Sequence, residues 1–240
     1  MPKYSTGLLN EFAPHLTELT ECNAPSMDEY KSMTHGLIHQ FVLLSSFSAR
    51  YPDPMHQYAL VFLRKTEAAF QEYFYSQSSL DKYVQTQILY NDNPNEQISQ
   101  YFEILHRFEV LISQIYQAYM VLEKFLVLEK EERFWQKGDG SILEKINTLY
   151  NYTKHAEGKI KQKPEVAGYH IWLTNSGVSC EKGSVTYAEI TEALIDLADN
   201  AKYYGNPPKV IIEMRDGIYD ERLQKHKNGK TTNRATSHNA

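Results

Sequence analysis

Apolar residues recur at three- and four-residue intervals through most of the chain, and the period drops to two in one short region. Ser26 and Glu29 have the spacing of a capping box, and Met33, Leu37, Phe41 and Leu44 follow on one face. This predicts a first long helix from Met27 to about Arg50. The prolines in Tyr51 to Pro54 end it, because proline lacks an amide donor and disfavours helix in the residue before it. A second helix is predicted from about Pro54 to Ser76, with Tyr58, Val61, Phe62, Lys65 and Phe70 near one face, and a shorter one from about Leu80 to Tyr90. After the turn cluster NDNPNE, the longest periodic run covers Glu96 to about Leu128 through Ile98, Phe102, Leu105, Phe108, Ile112, Ile115, Tyr119, Leu122 and Phe125. It reads as one central helix or as two with a hidden break.

The glycine loop QKGDGS precedes Ser141 and Glu144, which repeat the capping-box spacing at the head of a helix running toward Ile160. After Pro164, Tyr169, Ile171 and Leu173 alternate with His170, Trp172 and Thr174. The turn TNSG and a return through Val178 to Cys180 complete a predicted hairpin. Helical spacing resumes from Thr186 to about Tyr203, and Gly205, Pro207 and Pro208 stop it; Lys209 to Met214 reads equally as strand or helix. The expected fold is mainly α, a bundle of about five long helices with a small β-hairpin attachment near the C-terminus. The expected division is residues 1–25 as an N-terminal extension, 26–163 as the bundle, 164–215 as hairpin plus helix packed on it, and 216–240 as a disordered basic tail.

Composition narrows the function classes. The 240 residues carry a net charge of −5, so a polyanion meets no global attraction and must bind a local patch. The two cysteines, Cys22 and Cys180, form neither a zinc spacing nor a disulfide framework, which points to a reducing cytoplasm. The N-terminus lacks a basic segment followed by an apolar run, and no stretch reaches the roughly 18 apolar residues of a membrane span, so neither export nor membrane insertion is expected.

One helix carries candidate chemistry. On a wheel of 3.6 residues per turn, Ile142, Ile146, Leu149, Tyr150, Thr153 and Ile160 form the core stripe. Thr148, Asn151 and His155 lie opposite, the last two about 40° apart. Metal-independent RNA cleavage needs a base for the ribose 2′-hydroxyl, an acid for the leaving oxygen and positive charge on the phosphate; His155, Asn151 and Lys154 are those parts. A solvated helix face with a surface histidine produces the same pattern.

The segment LYNYTKHAEGKI, several preceding long helices and the IWLTNSGVS hairpin together resemble HEPN domains, particularly their abortive-infection-like branch. The family motif is an Arg, commonly followed by a polar residue, a short spacer and a His. Asn151 and His155 match it, while Tyr150 stands at the Arg position. The resemblance implies a helical bundle that dimerises, or pairs with another protein, so that two motifs line one cleft. It also implies an RNA-directed role in microbial defence or a toxin–antitoxin system, with His155 as acid/base, Asn151 positioning, and Lys154, Tyr150 and Thr148 contacting RNA. No cofactor is expected. Inactive relatives that bind or scaffold fit the missing Arg, whose rigid fork Tyr150 cannot imitate and which Lys154, Arg107 or Arg133 would have to replace. A different class is a metal-binding bundle: His35 and His39 have i,i+4 spacing with Asp28 two turns earlier, and Glu103 with His106 has the spacing that di-iron bundles use twice.

Overall fold

The computed structural model describes residues 18–47, 51, 54–86, 94–127, 133–155 and 171–205. Within them the protein is mainly helical, with a three-stranded antiparallel sheet near the C-terminal end. The helices are α1 (Leu37–Phe47), α2 (Met55–Thr86), α3 (Pro94–Leu126), α4 (Ile142–Lys154) and α5 (Tyr187–Gly205), with a 3-10 segment over Asp28–Thr34 before α1. The strands β1 (Ile171–Thr174), β2 (Gly177–Cys180) and β3 (Gly183–Thr186) pair in the order β1-β2-β3. Among these residues no helix is long and apolar enough to cross a membrane. The expected alternative for 209–214 and the expected basic tail lie outside the described residues.

The α2–α3 pair is the backbone of the bundle and its largest interface. Along α3, Tyr101, Ile104, Leu105, Phe108, Leu111, Ile112, Ile115, Ala118, Leu122 and Phe125 are buried, the stripe that the three- and four-residue spacing marks. Each such Leu, Ile or Phe contributes roughly 1.5–3 kcal/mol on leaving water. The long run is a single helix, begun by Pro94 in the first turn, where a missing amide costs nothing.

Two expected boundaries move. The predicted second and third helices are one, because Ser76, Leu80 and Tyr83 continue the buried stripe and no glycine or proline interrupts it. The predicted first helix divides instead. Gly36 takes φ +97° and His35 is extended at φ −162°, ψ 151°, so a 3-10 turn and α1 meet at a corner.

The hairpin gains a third strand. Ile171 pairs with Cys180, Thr174 with Gly177, Gly177 with Thr186 and Cys180 with Gly183. Gly177 must lack a side chain, since a Cβ there would collide with the Val185 carbonyl and the Thr186 Cα. Strand β3 feeds α5 through a capping box: Thr186 Oγ1 accepts the Glu189 N–H at 3.1 Å and the Glu189 carboxylate accepts the Thr186 N–H at 2.9 Å. The Glu189 carboxylate also pairs with Lys145 of α4, which ties α4 to α5. Burial pushes Glu189 up, but Lys145 and the Thr186 N–H outweigh it and hold the carboxyl below its usual range.

Residues 18–27 are fastened across the sheet and α2. Asn175, in the β1–β2 turn, accepts the Thr20 and Glu21 N–H groups at 2.9 and 3.3 Å, and its backbone carbonyl accepts the Asn23 N–H at 3.3 Å. On the other side, Tyr73 Oη donates to the Pro25 carbonyl at 2.5 Å and Gln77 donates to the Ala24 carbonyl at 3.3 Å.

Candidate functional site

The head of α4 is built as the sequence predicts. Ser141 Oγ accepts the Glu144 N–H at 3.2 Å, while Glu144 reaches back to the amides of Gly138 and, at 2.8 Å, Gly140. Gly138 and Gly140 have φ of +86° and +71°, the left-handed backbone that glycine adopts without strain. The reciprocal bond therefore lands on the loop rather than on the Ser141 amide, which donates to Asp139 instead at 2.8 Å.

Helix α4 lies between α3 and the sheet, so its buried arc is wider than a one-sided stripe. Ile146 and Leu149 are buried as expected, and Leu143 and Tyr152 join them, while Ile142, Tyr150 and Thr153 stay half-buried. Tyr152 is the unexpected member. Its hydroxyl meets Glu181 beyond β2, and burial together with the nearby Cys180 and Glu181 raises its pKa.

The helix closes at Lys154, short of the predicted Ile160, which lies outside the described residues. His155 is the C-cap at φ −107°, ψ 21°, and its backbone N–H donates to the Asn151 carbonyl at 3.1 Å. Asn151 and His155 thus remain one turn apart on the outer side. His155 and Lys154 are exposed; Thr148 and Asn151 are half-buried. The Asn151 amide donates to Asn147 Oδ1 at 2.9 Å, a neighbour the motif does not include. Among the described residues no side chain bonds the His155 ring.

Tyr150 turns away from this pair. Its ring lies flat on Tyr116 of α3, with centroids 4.4 Å apart and planes 25° from parallel, and Lys154 Nζ stands 5.7 Å from the Tyr150 centroid. The chain after α3 folds back beside this stack: Phe134 packs edge-on against Tyr119 and donates its N–H to Glu123 at 3.3 Å. That return places exposed Arg133 near Tyr116 and Glu123. Burial raises the pKa of both, and the Arg133 charge opposes the rise in each.

Arg107 is engaged elsewhere. It bonds Glu103 at 3.1 Å, reaches Glu72 of α2 at 4.0 Å and lies over the Tyr75 ring. From there it does not join Asn151 and His155: Arg107 and Tyr116 are nine positions apart, so they leave α3 on opposite sides.

The metal constellation loses its geometry. The extended His35 precedes α1 and bonds Thr34 Oγ1 at 2.9 Å, so it and His39 do not share the helix face that i,i+4 spacing implies. Asp28 is held by Lys31 and Ser26. Glu103 bonds Arg107 and His106 is exposed beside Glu109, so neither points into the bundle. Among the described residues no group of three or more His, Cys, Asp and Glu is placed to hold a metal ion.

Tyr116 and Asn147 are the neighbours that sequence reasoning missed as site residues, and Arg133 entered that reasoning only as a possible substitute for the missing Arg. Tyr116 carried only a helical-spacing signal, and Arg133 required the fold of the α3–α4 connection. Compared with known proteins, the chain matches no family model, no curated protein and no solved structure.

Proposed function

We propose that this chain is a HEPN-like subunit of a microbial defence or toxin–antitoxin system that engages RNA through the C-terminal end of α4 and does not cleave it unaided. The observation that carries this reading is Tyr150: it occupies the motif's Arg position, and its ring is committed to Tyr116 and Lys154. Stabilising a phosphorane-like transition state takes a fixed cation beside the proton-transfer group. The cation next to His155 in the chain is Lys154, whose ammonium is a point charge rather than a rigid fork. Asn151, His155 and Lys154 suit contact with a phosphate backbone, and a second copy or a different protein would have to add the missing guanidinium.

The test is a cleavage and binding assay on single-stranded and transfer RNA without added metal, with wild type, His155→Ala and Tyr150→Arg side by side. The expected result is background cleavage from wild type and His155→Ala alike, with measurable RNA binding. Wild-type cleavage that resists EDTA and falls roughly 10²-fold in His155→Ala would make the chain a nuclease and His155 its acid/base. Absence of RNA binding would remove the RNA-directed reading.

A further inference from the structure

Tyr116 and Tyr150 form a different kind of pair from the buried aromatic contacts. Tyr83 and Tyr101, for comparison, meet at 6.2 Å and 61°, both buried, whereas Tyr116 and Tyr150 lie nearly parallel at 4.4 Å with both residues half-exposed. Lys154 lies over the Tyr150 ring, and the exposed Arg133 on the returning chain is near enough to Tyr116 for its charge to oppose the burial-driven rise of the Tyr116 pKa. The neighbouring acid, Glu123, is turned to the Phe134 N–H and is itself buried, so its charge is partly satisfied within the protein. The result is a local aromatic and cationic surface on a chain whose net charge is −5.

We propose that Tyr116, Tyr150, Lys154 and Arg133 form a nucleotide platform for single-stranded RNA; the proposal rests on the RNA-directed reading above. One base takes the Tyr150 ring face that Lys154 now covers, the freed ammonium moves to the adjoining phosphate, and Arg133 holds the next one. Base faces are available for such stacking only in an unpaired strand, because a duplex already stacks them. The exchange conserves interactions: the cation leaves a π face for a phosphate, and the base replaces it on the ring. Arg133 lies outside the motif and on another segment, so the platform spans α3, the α3–α4 connection and α4.

The experiment is fluorescence anisotropy with a labelled single-stranded RNA of about ten nucleotides, the same sequence as a duplex, and inorganic polyphosphate as competitor. The single strand is expected to bind more tightly than the duplex. Tyr116→Leu and Tyr150→Leu should each weaken it by about tenfold, and Tyr116→Phe and Tyr150→Phe should retain it. Arg133→Gln should lower the slope of log affinity against log salt by about one. Equal binding of single strand and duplex, or folded Leu variants that bind like wild type, would overturn the platform while leaving RNA binding through His155 and Lys154 in place. If the Leu variants fail to fold, loss of binding in the Phe variants overturns it instead. Polyphosphate that competes fully and equally in wild type and Phe variants, with no preference for unpaired bases, would reduce the surface to a charge patch. No binding of either RNA by wild type would overturn both the platform and the RNA-directed reading.

Discussion

Tyr101 and Tyr116 stand about four turns apart on α3 and have opposite surroundings. Tyr101 is fully buried, its ring is edge-on to Tyr83, and its hydroxyl accepts the Leu173 N–H at 3.0 Å, which binds strand β1 to the helix pair. Tyr73 and Tyr187 likewise satisfy backbone groups, but as donors, to the Pro25 and Thr174 carbonyls. Tyr116 shows its ring to Tyr150 and partly to solvent. In the first region the hydroxyl is the working atom, because a buried backbone polar group needs a partner. In the second the ring face is, at residues that are only half-buried.

The largest expected contrast comes from truncating each ring. Tyr101→Ala should cost about 3–5 kcal/mol, through the lost ring and the orphaned Leu173 amide, and Tyr101→Phe about 1–3 kcal/mol through the amide alone. Tyr116→Leu, at a half-exposed site, should cost under about 1 kcal/mol. Urea unfolding of the three variants measures this, and equal losses at positions 101 and 116 would erase the distinction between cement and platform.

Alkaline pH separates the two regions next. Burial pushes the Tyr101 hydroxyl up to about 12, with the neighbouring Tyr83 adding to the rise and the Leu173 amide opposing it. Tyr73, Tyr119 and Tyr187 move in the same direction, also chiefly through burial. A folded pKa above the unfolded value of about 10 means that the unfolded chain loses its proton first. The stability these hydroxyls contribute is therefore complete below about pH 10 and declines as pH rises toward 12. The expected loss is on the order of a few kcal/mol, with tyrosinate absorbance at the buried rings appearing together with unfolding. A melting temperature unchanged from pH 9 to 12 would contradict it.

The same contrast explains how much the sequence discloses. Helix α3 and the Ser141 cap are legible because both are local patterns: a repeated spacing, and two residues three apart that bond each other's surroundings. The corner at Gly36 was not, since one glycine inside an apolar period is compatible with a continued helix until its φ is known. Strand β3, GSVT, offers a single buried residue, Val185, too little for an alternation to register. At the site, Asn151 and His155 are legible as a one-turn pair. The stack of Tyr116 on Tyr150 and the approach of Arg133 are tertiary facts, decided by how α3, its connection and α4 pack, and no spacing within α4 contains them.

Asn175 tests the cement at a smaller scale. Its side chain receives two amides of the 18–27 segment from an exposed turn, so water can replace part of what is lost. Asn175→Ala should cost about 1 kcal/mol and expose that segment to limited proteolysis before the helices are cut, while RNA binding stays unchanged. Proteolysis that begins within α3 or α4 instead would show that the segment and the bundle open together.

The smallest stability effect and the most selective functional one should come from Lys154→Gln. The side chain is exposed at the last turn of α4, and its contact with the Tyr150 face is worth about 0.5–1 kcal/mol at such a site. Its loss also removes a cation from the negative end of the helix, a further few tenths of a kcal/mol. A melting-temperature change of a few degrees at most is therefore expected. If the ammonium is the phosphate ligand that leaves the ring when a base arrives, the variant should bind single-stranded RNA more weakly at low salt and converge toward wild type as salt rises. If the ammonium only packs against Tyr150, freeing the ring should leave the salt dependence unchanged and improve stacking. The sign of the affinity change at low salt thus separates the two roles for the same 5.7 Å contact, with a melting curve on the same sample to confirm that the fold is intact.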